Sequence, residues 1–179
     1  MRKKSLKEEL PLHVRSLYRY ALALTRDSEE AHDLVQDCCT AALDNERQFE
    51  RGTNLRAWLF TIMHNRHVSR MRKRSRTAEH VPFSEVTGWL VHPSNQMARL
   101  EFRDLVAAVD ELEDEFREVL ILVSVEGLSY KEVSEVLGVP VGTVTSRLSR
   151  ARSMLRRRMS RHEGCGAAEA FFAGLRVIR

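Results

Sequence analysis

Apolar residues recur along this chain at three- and four-residue steps, the spacing of helix faces, and show no strand-like alternation. Leu10, Val14, Leu17, Ala21 and Leu24 form the first stripe and predict an amphipathic helix within residues 5–25. Asp27, followed by Glu29 and Glu30, supplies a cap and an acidic first turn for a second helix. That helix is expected to bury Leu34, Val35, Cys38, Ala41 and Ala42 and to show Asp33, Gln36, Asp37 and Thr40 on its polar side. Asn45 to Asn54 reads as a polar loop carrying one exposed aromatic, Phe49, with Gly52 and Thr53. Leu55, Trp58, Leu59, Ile62 and Met63 then predict the buried stripe of a long helix, with Trp58 in the core.

Periodicity lapses over 77–95, where Pro82, Ser84, Gly88, Pro93 and Ser94 mark a linker with one short turn around Phe83–Leu90. It returns at Met97, Leu100, Leu105, Val109 and Leu112, and again at Phe116, Val119, Leu120 and Val123. Ser129, with Glu132 three residues on, makes a capping box for a helix whose apolar stripe is Tyr130, Val133 and Leu137. Gly138-Val139-Pro140 stops that helix and opens another. On the last helix Val141, Val144, Leu148, Ala151 and Leu155 share one face, while Thr143, Ser146, Arg147 and Arg150 share a second. That is the polarity of a helix-turn-helix whose second helix enters a DNA major groove. An ordinary helical hairpin with a solvated basic face is the alternative. The expected fold is all-α, two small helical domains joined by a flexible linker: 5–78, linker 79–95, 96–160 with the helix-turn-helix, and an apolar tail 161–179.

Charge separates these readings. The net charge is only +4, but Arg66, Arg70, Arg72, Lys73, Arg74 and Arg76 form one basic block. Arg147, Arg150, Arg152, Arg156, Arg157, Arg158 and Arg161 form another, with the acidic run Asp110, Glu111, Glu113, Asp114, Glu115 and Glu118 between them. Two separated basic patches suit a polyanion held at two places. The loop of Phe49 beside the first basic helix has the composition of a single-strand surface, where rings stack bases and cations track phosphates. For the acidic face of the second helix, charge pattern alone favours solvation over docking of a basic partner surface.

Other chemistry is not indicated. No glycine-rich phosphate loop or Ser/His/Asp context occurs, so no enzyme activity and no cofactor is expected. His64 and His67 lie one turn apart without a carboxylate or thiol to complete a metal site, and His162 and Cys165 fall in the tail. Three cysteines, two of them the adjacent Cys38 and Cys39, make no disulfide framework and suggest a reducing cytoplasm. No signal peptide and no apolar run of membrane-spanning length is seen.

Five segments, taken together, resemble the extracytoplasmic-function sigma factors. They are Asp33-Leu-Val-Gln-Asp37, Leu55-Arg-Ala-Trp-Leu-Phe-Thr-Ile-Met-His-Asn65, Arg117-Glu-Val-Leu120, Glu126-Gly-Leu-Ser-Tyr130 and Val139 through Ala151, in family order and spacing over roughly residues 10–160. The wording of the first domain is similar to the general stress response subgroup of alphaproteobacteria. The resemblance implies that Asp33, Leu34, Gln36 and Asp37 dock on the β′ clamp helices of core RNA polymerase, against the solvation reading. It implies that Phe49, Arg51, Thr53, Asn54, Asn65, Arg66 and Arg70 capture the unwound minus-ten strand of promoter DNA. Thr143, Ser146, Arg147 and Arg150 would read the minus-thirty-five duplex, with Arg152 and Arg156 nearer phosphates. The second domain would also meet the β-flap, the linker would follow the RNA exit path, and an anti-sigma factor would control the protein. A stand-alone helix-turn-helix regulator is the competing function, and it leaves the first domain unexplained. An adaptor that only resembles a sigma factor is a third reading, which the intact set Thr143, Ser146, Arg147 and Arg150 disfavours.

Overall fold

The computed structural model describes residues 5–77 and 105–159. The expected linker, the start of the helix at Met97 and Leu100, and the apolar tail lie outside the described residues. The described residues are helical, without a strand, and the chain divides near Val86 into two compact units.

The first unit is three helices: α1 (Leu6–Thr25), α2 (Ser28–Asp44) and α3 (Leu55–Thr77), each packed on the other two. Asp27 caps α2 as its sequence predicts, accepting from the backbone N–H of Glu29 and Glu30 at 2.9 Å each. The predicted core of α2 holds, with Leu34, Val35, Cys38, Ala41 and Ala42 buried. Two stripes differ from expectation. On α1, Val14 is 42% exposed and Tyr20 is fully buried instead. On α3, Phe60 takes the core position expected for Trp58, meeting Tyr20 edge to face with centroids 5.2 Å apart, while Trp58 and Ile62 are only half-buried. Leu55, Leu59 and Met63 are buried at four-residue steps, each advancing about 40° round the helix, and that advance turns the core face toward Phe60 and away from Trp58 and Ile62.

The second unit begins, within the described residues, with helical residues 105–110 (α4) and continues through α5 (Asp114–Leu120), α6 (Tyr130–Leu137) and α7 (Val141–Met159). Leu105, Val109, Leu112, Phe116, Val119, Leu120 and Val123 are buried as their spacing predicts. Between α5 and α6 the chain makes a π-turn over Ile121–Val125, closed by a 3.0 Å bond from the Glu126 N–H to the Ile121 carbonyl. Gly127 follows at φ 67°, and the Leu128 N–H reaches back to the Leu122 carbonyl at 3.0 Å. Glycine suits this left-handed position, and the buried Leu128 completes the hydrophobic closure of the motif.

The helix-turn-helix forms as the sequence predicts. The Ser129 N–H donates to Glu132 Oε2 at 2.7 Å, and Ser129 Oγ accepts from the Glu132 N–H at 3.3 Å. Gly138 ends α6 at φ 64°, and the Ser134 hydroxyl donates to the Val139 carbonyl at 2.6 Å, bracing the turn. Val144, Leu148, Ala151 and Leu155 seat α7 on α5, whereas Val141, expected on that face, is 44% exposed in the first turn.

Candidate functional site

The loop before α3 is more ordered than its polar sequence suggests. A 3₁₀ turn, Glu46–Gln48, is held by the Gln48 N–H on the Asn45 carbonyl at 2.8 Å, and Gln48 Nε2 donates to Asn45 Oδ1 at 3.0 Å. Thr53 folds the loop back, its N–H and its hydroxyl both donating to the Glu50 carbonyl at 3.1 and 2.7 Å. Gly52 sits at φ 111°, where a side chain would be strained whatever the space around it. Asn54 Oδ1 caps α3 by accepting the Arg56 N–H at 3.1 Å, so part of this expected DNA contact serves the helix.

This fold makes a cavity of about 280 Å³ lined by Phe49, Arg51, Gly52, Thr53 and Leu55, with Leu6 and Glu9 contributed by α1. Phe49 is half-buried instead of exposed, because its ring lies 5.2 Å from that of Trp58 in a tilted pair. Arg51 and Glu46, both in the lining, are ion-paired at 3.2 Å. Phe49, Arg51 and Thr53 are thus brought together, and the half-buried Trp58, read in sequence as core, backs the Phe49 ring. Leu6 and Glu9 lie some forty residues upstream, and no spacing in the sequence links them to the loop. Asn65 and Arg66 are exposed further along α3, outside the lining of this cavity.

On α2 the face expected to dock is the exposed one: Asp33, Gln36, Asp37 and Thr40 all face solvent. Leu34 departs from its assignment. It is 0% exposed, a core residue that holds the helix in place and offers no contact surface. Arg70, expected on the strand-binding surface, ion-pairs with Asp37 and donates to the Asp33 carbonyl at 3.4 Å. Arg74 pairs with Glu30 at 2.8 Å. Two surfaces assigned separately in sequence therefore neutralise each other along one seam of α2 and α3.

In the second unit, Ser146 and Arg150 are exposed on α7, and Thr143, Arg147 and Arg152 are half-exposed at its edges. Thr145 is exposed, yet its hydroxyl donates to the Val141 carbonyl at 3.1 Å. Arg147 is tied to α5, with Nη2 donating to Glu115 Oε2 at 2.6 Å. Arg158 pairs with Glu111 at 2.5 Å toward the other end of the helix. Behind this edge Arg117 is completely buried, donating to the Leu112 carbonyl at 2.7 Å and to Asp114 at 2.6 Å. Burial pushes the Glu118 carboxyl up to about 7, helped by Asp114 and opposed by Arg117 and Arg147. The roles of Glu111 and Glu115 escaped the sequence, since a run of acids announces charge without naming its partners.

Thiol and imidazole groups sit deep in the first unit. Burial pushes the Cys38 thiol up to about 12, and its Sγ donates to the Leu59 carbonyl at 3.4 Å. Burial also lowers His64, whose Nδ1 lies 3.5 Å from the Tyr20 hydroxyl. Among the described residues no cluster of three or more His, Cys, Asp or Glu could hold a metal, and no helix is long and apolar enough to cross a membrane.

Residues 12–77 match the sigma-70 region 2 family and residues 102–155 match sigma-70 region 4. The chain is 42% identical over 151 residues to the ECF RNA polymerase sigma factor EcfG of Rhodopseudomonas palustris, covering 84% of this chain and 83% of that protein. Among solved structures it is similar to the sigma factor RpoE of Bartonella quintana, crystallised with the anti-sigma factor NepR. The TM-score there is 0.73 at 37% identity, over 86% of this chain and 96% of that one. It is also similar to CnrH in complex with the cytosolic domain of CnrY, with TM-score 0.61 at 26% identity and 88% of each chain covered.

Proposed function

The chain belongs to the extracytoplasmic-function RNA polymerase sigma factors, of the general stress response type, and we propose the following division of labour among its residues. It is an alternative sigma factor that binds core RNA polymerase, directs initiation at promoters and is controlled by an anti-sigma factor. Residues 5–78 would dock on polymerase and open DNA, 96–160 would read the duplex, and 79–95 would connect them. Asp33, Gln36 and Asp37 meet the β′ clamp helices, since they form the exposed acidic face of α2. The second unit meets the β-flap. The protein works in the cytoplasm beside the polymerase, as a transcription initiation factor and not an enzyme.

Strand opening leaves unstacked bases that must be held. Flipping a base costs a few kcal/mol, which a preformed pocket with a ring and a cation offsets. The cavity under the Phe49 loop offers both, with Phe49 and Arg51 in its lining. Thr53 lines it, Asn54 braces it, and Asn65, Arg66 and Arg70 follow the strand along α3. On α7, Thr143, Ser146, Arg147 and Arg150 read base edges of the minus-thirty-five element, while Arg152 and Arg156 lie nearer phosphates.

The observation that carries this reading is that one chain holds both the pocketed loop and the helix-turn-helix, matched to regions 2 and 4 of one family. Run-off transcription with core RNA polymerase, with and without this protein, tests it. Promoter-specific transcripts are expected only with both components. DNA binding by the protein alone, with no polymerase-dependent transcript, would return it to the class of stand-alone regulators.

A further inference from the structure

Arg147 is placed by its sequence as a base reader, yet it is held at 2.6 Å by Glu115, a residue of a different helix. We propose that Glu115 is a specificity-determining positioning residue, which aims the Arg147 guanidinium at a base edge and keeps it off the DNA backbone. The inference rests on the reading of α7 as the minus-thirty-five helix.

The geometry supports aiming. Glu115 stands in the first turn of α5, and α5 is packed on α7 through fully or nearly fully buried residues, including Val119, Leu120, Val144 and Leu148. The backbone that carries Glu115 is therefore fixed, and the bond from its carboxylate restricts an arginine side chain that otherwise has about four free torsions. Glu115 occupies Nη2 of a group with five N–H donors, so others stay available for a two-pronged contact with guanine. An arginine already restrained in its bound rotamer orders less on binding, which favours the contact it is restrained for.

Charge supports exclusion. DNA carries a phosphate every few ångströms, and a mobile arginine finds one at any sequence. A carboxylate beside the guanidinium repels those phosphates and cancels part of the long-range attraction. A base edge is nearly uncharged and is refused far less. Glu115 thus weakens the sequence-blind use of Arg147 more than its selective use. The second ion pair on this edge supplies a control, because Glu111 lies 2.5 Å from Arg158 about three turns further along α7, beyond the residues assigned to base reading.

The test uses holoenzyme assembled from the full chain and core RNA polymerase, given promoters randomised through the minus-thirty-five element, with the transcribed templates sequenced. Arg147→Ala first marks the position that Arg147 reads. Glu115→Gln, which keeps size and folding while removing charge, is expected to lower base preference at that same position by about fivefold. It should also raise binding to non-promoter duplex about two- to threefold at low salt. Glu111→Gln should leave base preference unchanged at every position, and Glu115→Gln combined with Arg147→Ala should look like Arg147→Ala alone. A purely structural Glu115 would lower all binding together and leave base preference intact. A marked position under Arg147→Ala with an unchanged profile under Glu115→Gln overturns the proposal while keeping Arg147 as reader. No change at any position under either substitution removes the Arg147 assignment and the proposal with it.

Discussion

In each unit the last described helix is arginine-rich, and it is tethered to carboxylates earlier in the same unit. In the first, Arg70 and Arg74 reach Asp37 and Glu30; in the second, Arg147 and Arg158 reach Glu115 and Glu111. The difference lies in what else the carboxylates do. Asp37 belongs to the face proposed to dock on polymerase, so a docking partner would share a carboxylate already engaged by Arg70. Glu115 and Glu111 have no assigned partner outside the unit. On the proposed assignments, the same device would couple two binding events in the first unit and shape a single one in the second.

The largest expected effect breaks the coupling side. Asp37→Arg places a cation beside Arg70 and reverses the docking charge, so co-purification with core polymerase should weaken by about a hundredfold with the helical content unchanged. Unimpaired co-purification would remove α2 as the docking face. Next, Arg147→Ala should cost about 1–3 kcal/mol on the matched promoter and far less on a scrambled minus-thirty-five element. Arg157→Ala, on the exposed face of α7, should act mildly at every sequence and lower the salt slope by about one. Equal losses on both promoters for Arg147→Ala would make it a phosphate contact like any other.

Proton binding sharpens the contrast, because the units carry opposite signs. Glu118 is raised by burial from 4.5 to about 7, so the folded unit holds a proton that the unfolded chain has released. Its contribution is complete below about 4.5 and is lost as pH rises toward about 7. His64 is lowered by burial, so its contribution is complete above 6.5 and is lost as pH falls through its folded value. Amide exchange on the full chain should show α5 and α7 gaining protection toward acid while α1 and α3 lose it. Glu118→Gln should flatten only the former; parallel responses in both units would contradict the assignment. The smallest effect is Glu30→Gln, which removes a part-exposed pair with Arg74 and should shift stability by less than about 1 kcal/mol.

What the sequence conveyed follows from how far each interaction reaches. The caps at Asp27 and Ser129 and the stop at Gly138 involve neighbours within three or four residues, and all three formed as read. The apolar faces of α2, α5 and the body of α7 were equally legible, because burial follows helical phase. Trp58 and Phe60 exchanged places since both lie near the edge of one stripe, and the deciding neighbour, Tyr20, comes from α1. The pairings of Arg70 with Asp37 and Arg147 with Glu115 cross more than thirty residues, and charge pattern alone does not specify such partners. The Phe49 loop was recognisable by composition, while its cavity depended on Leu6 and Glu9 from the start of α1.

The turn at Ile121–Val125 holds one residue more than the helical turn it replaces. The wide turn absorbs that residue, because the bond from Glu126 to Ile121 spans five residues where an ordinary helical bond spans four. Without it, one extra residue would rotate everything beyond by about 100°. Deleting a residue here is therefore expected to leave an ordinary turn, with Ser129's cap, the bonds inside α6 and α7 and the aim of the proposed reading face unchanged. Spare length is stored at this turn, where a single codon is gained or lost without redirecting the helix that follows.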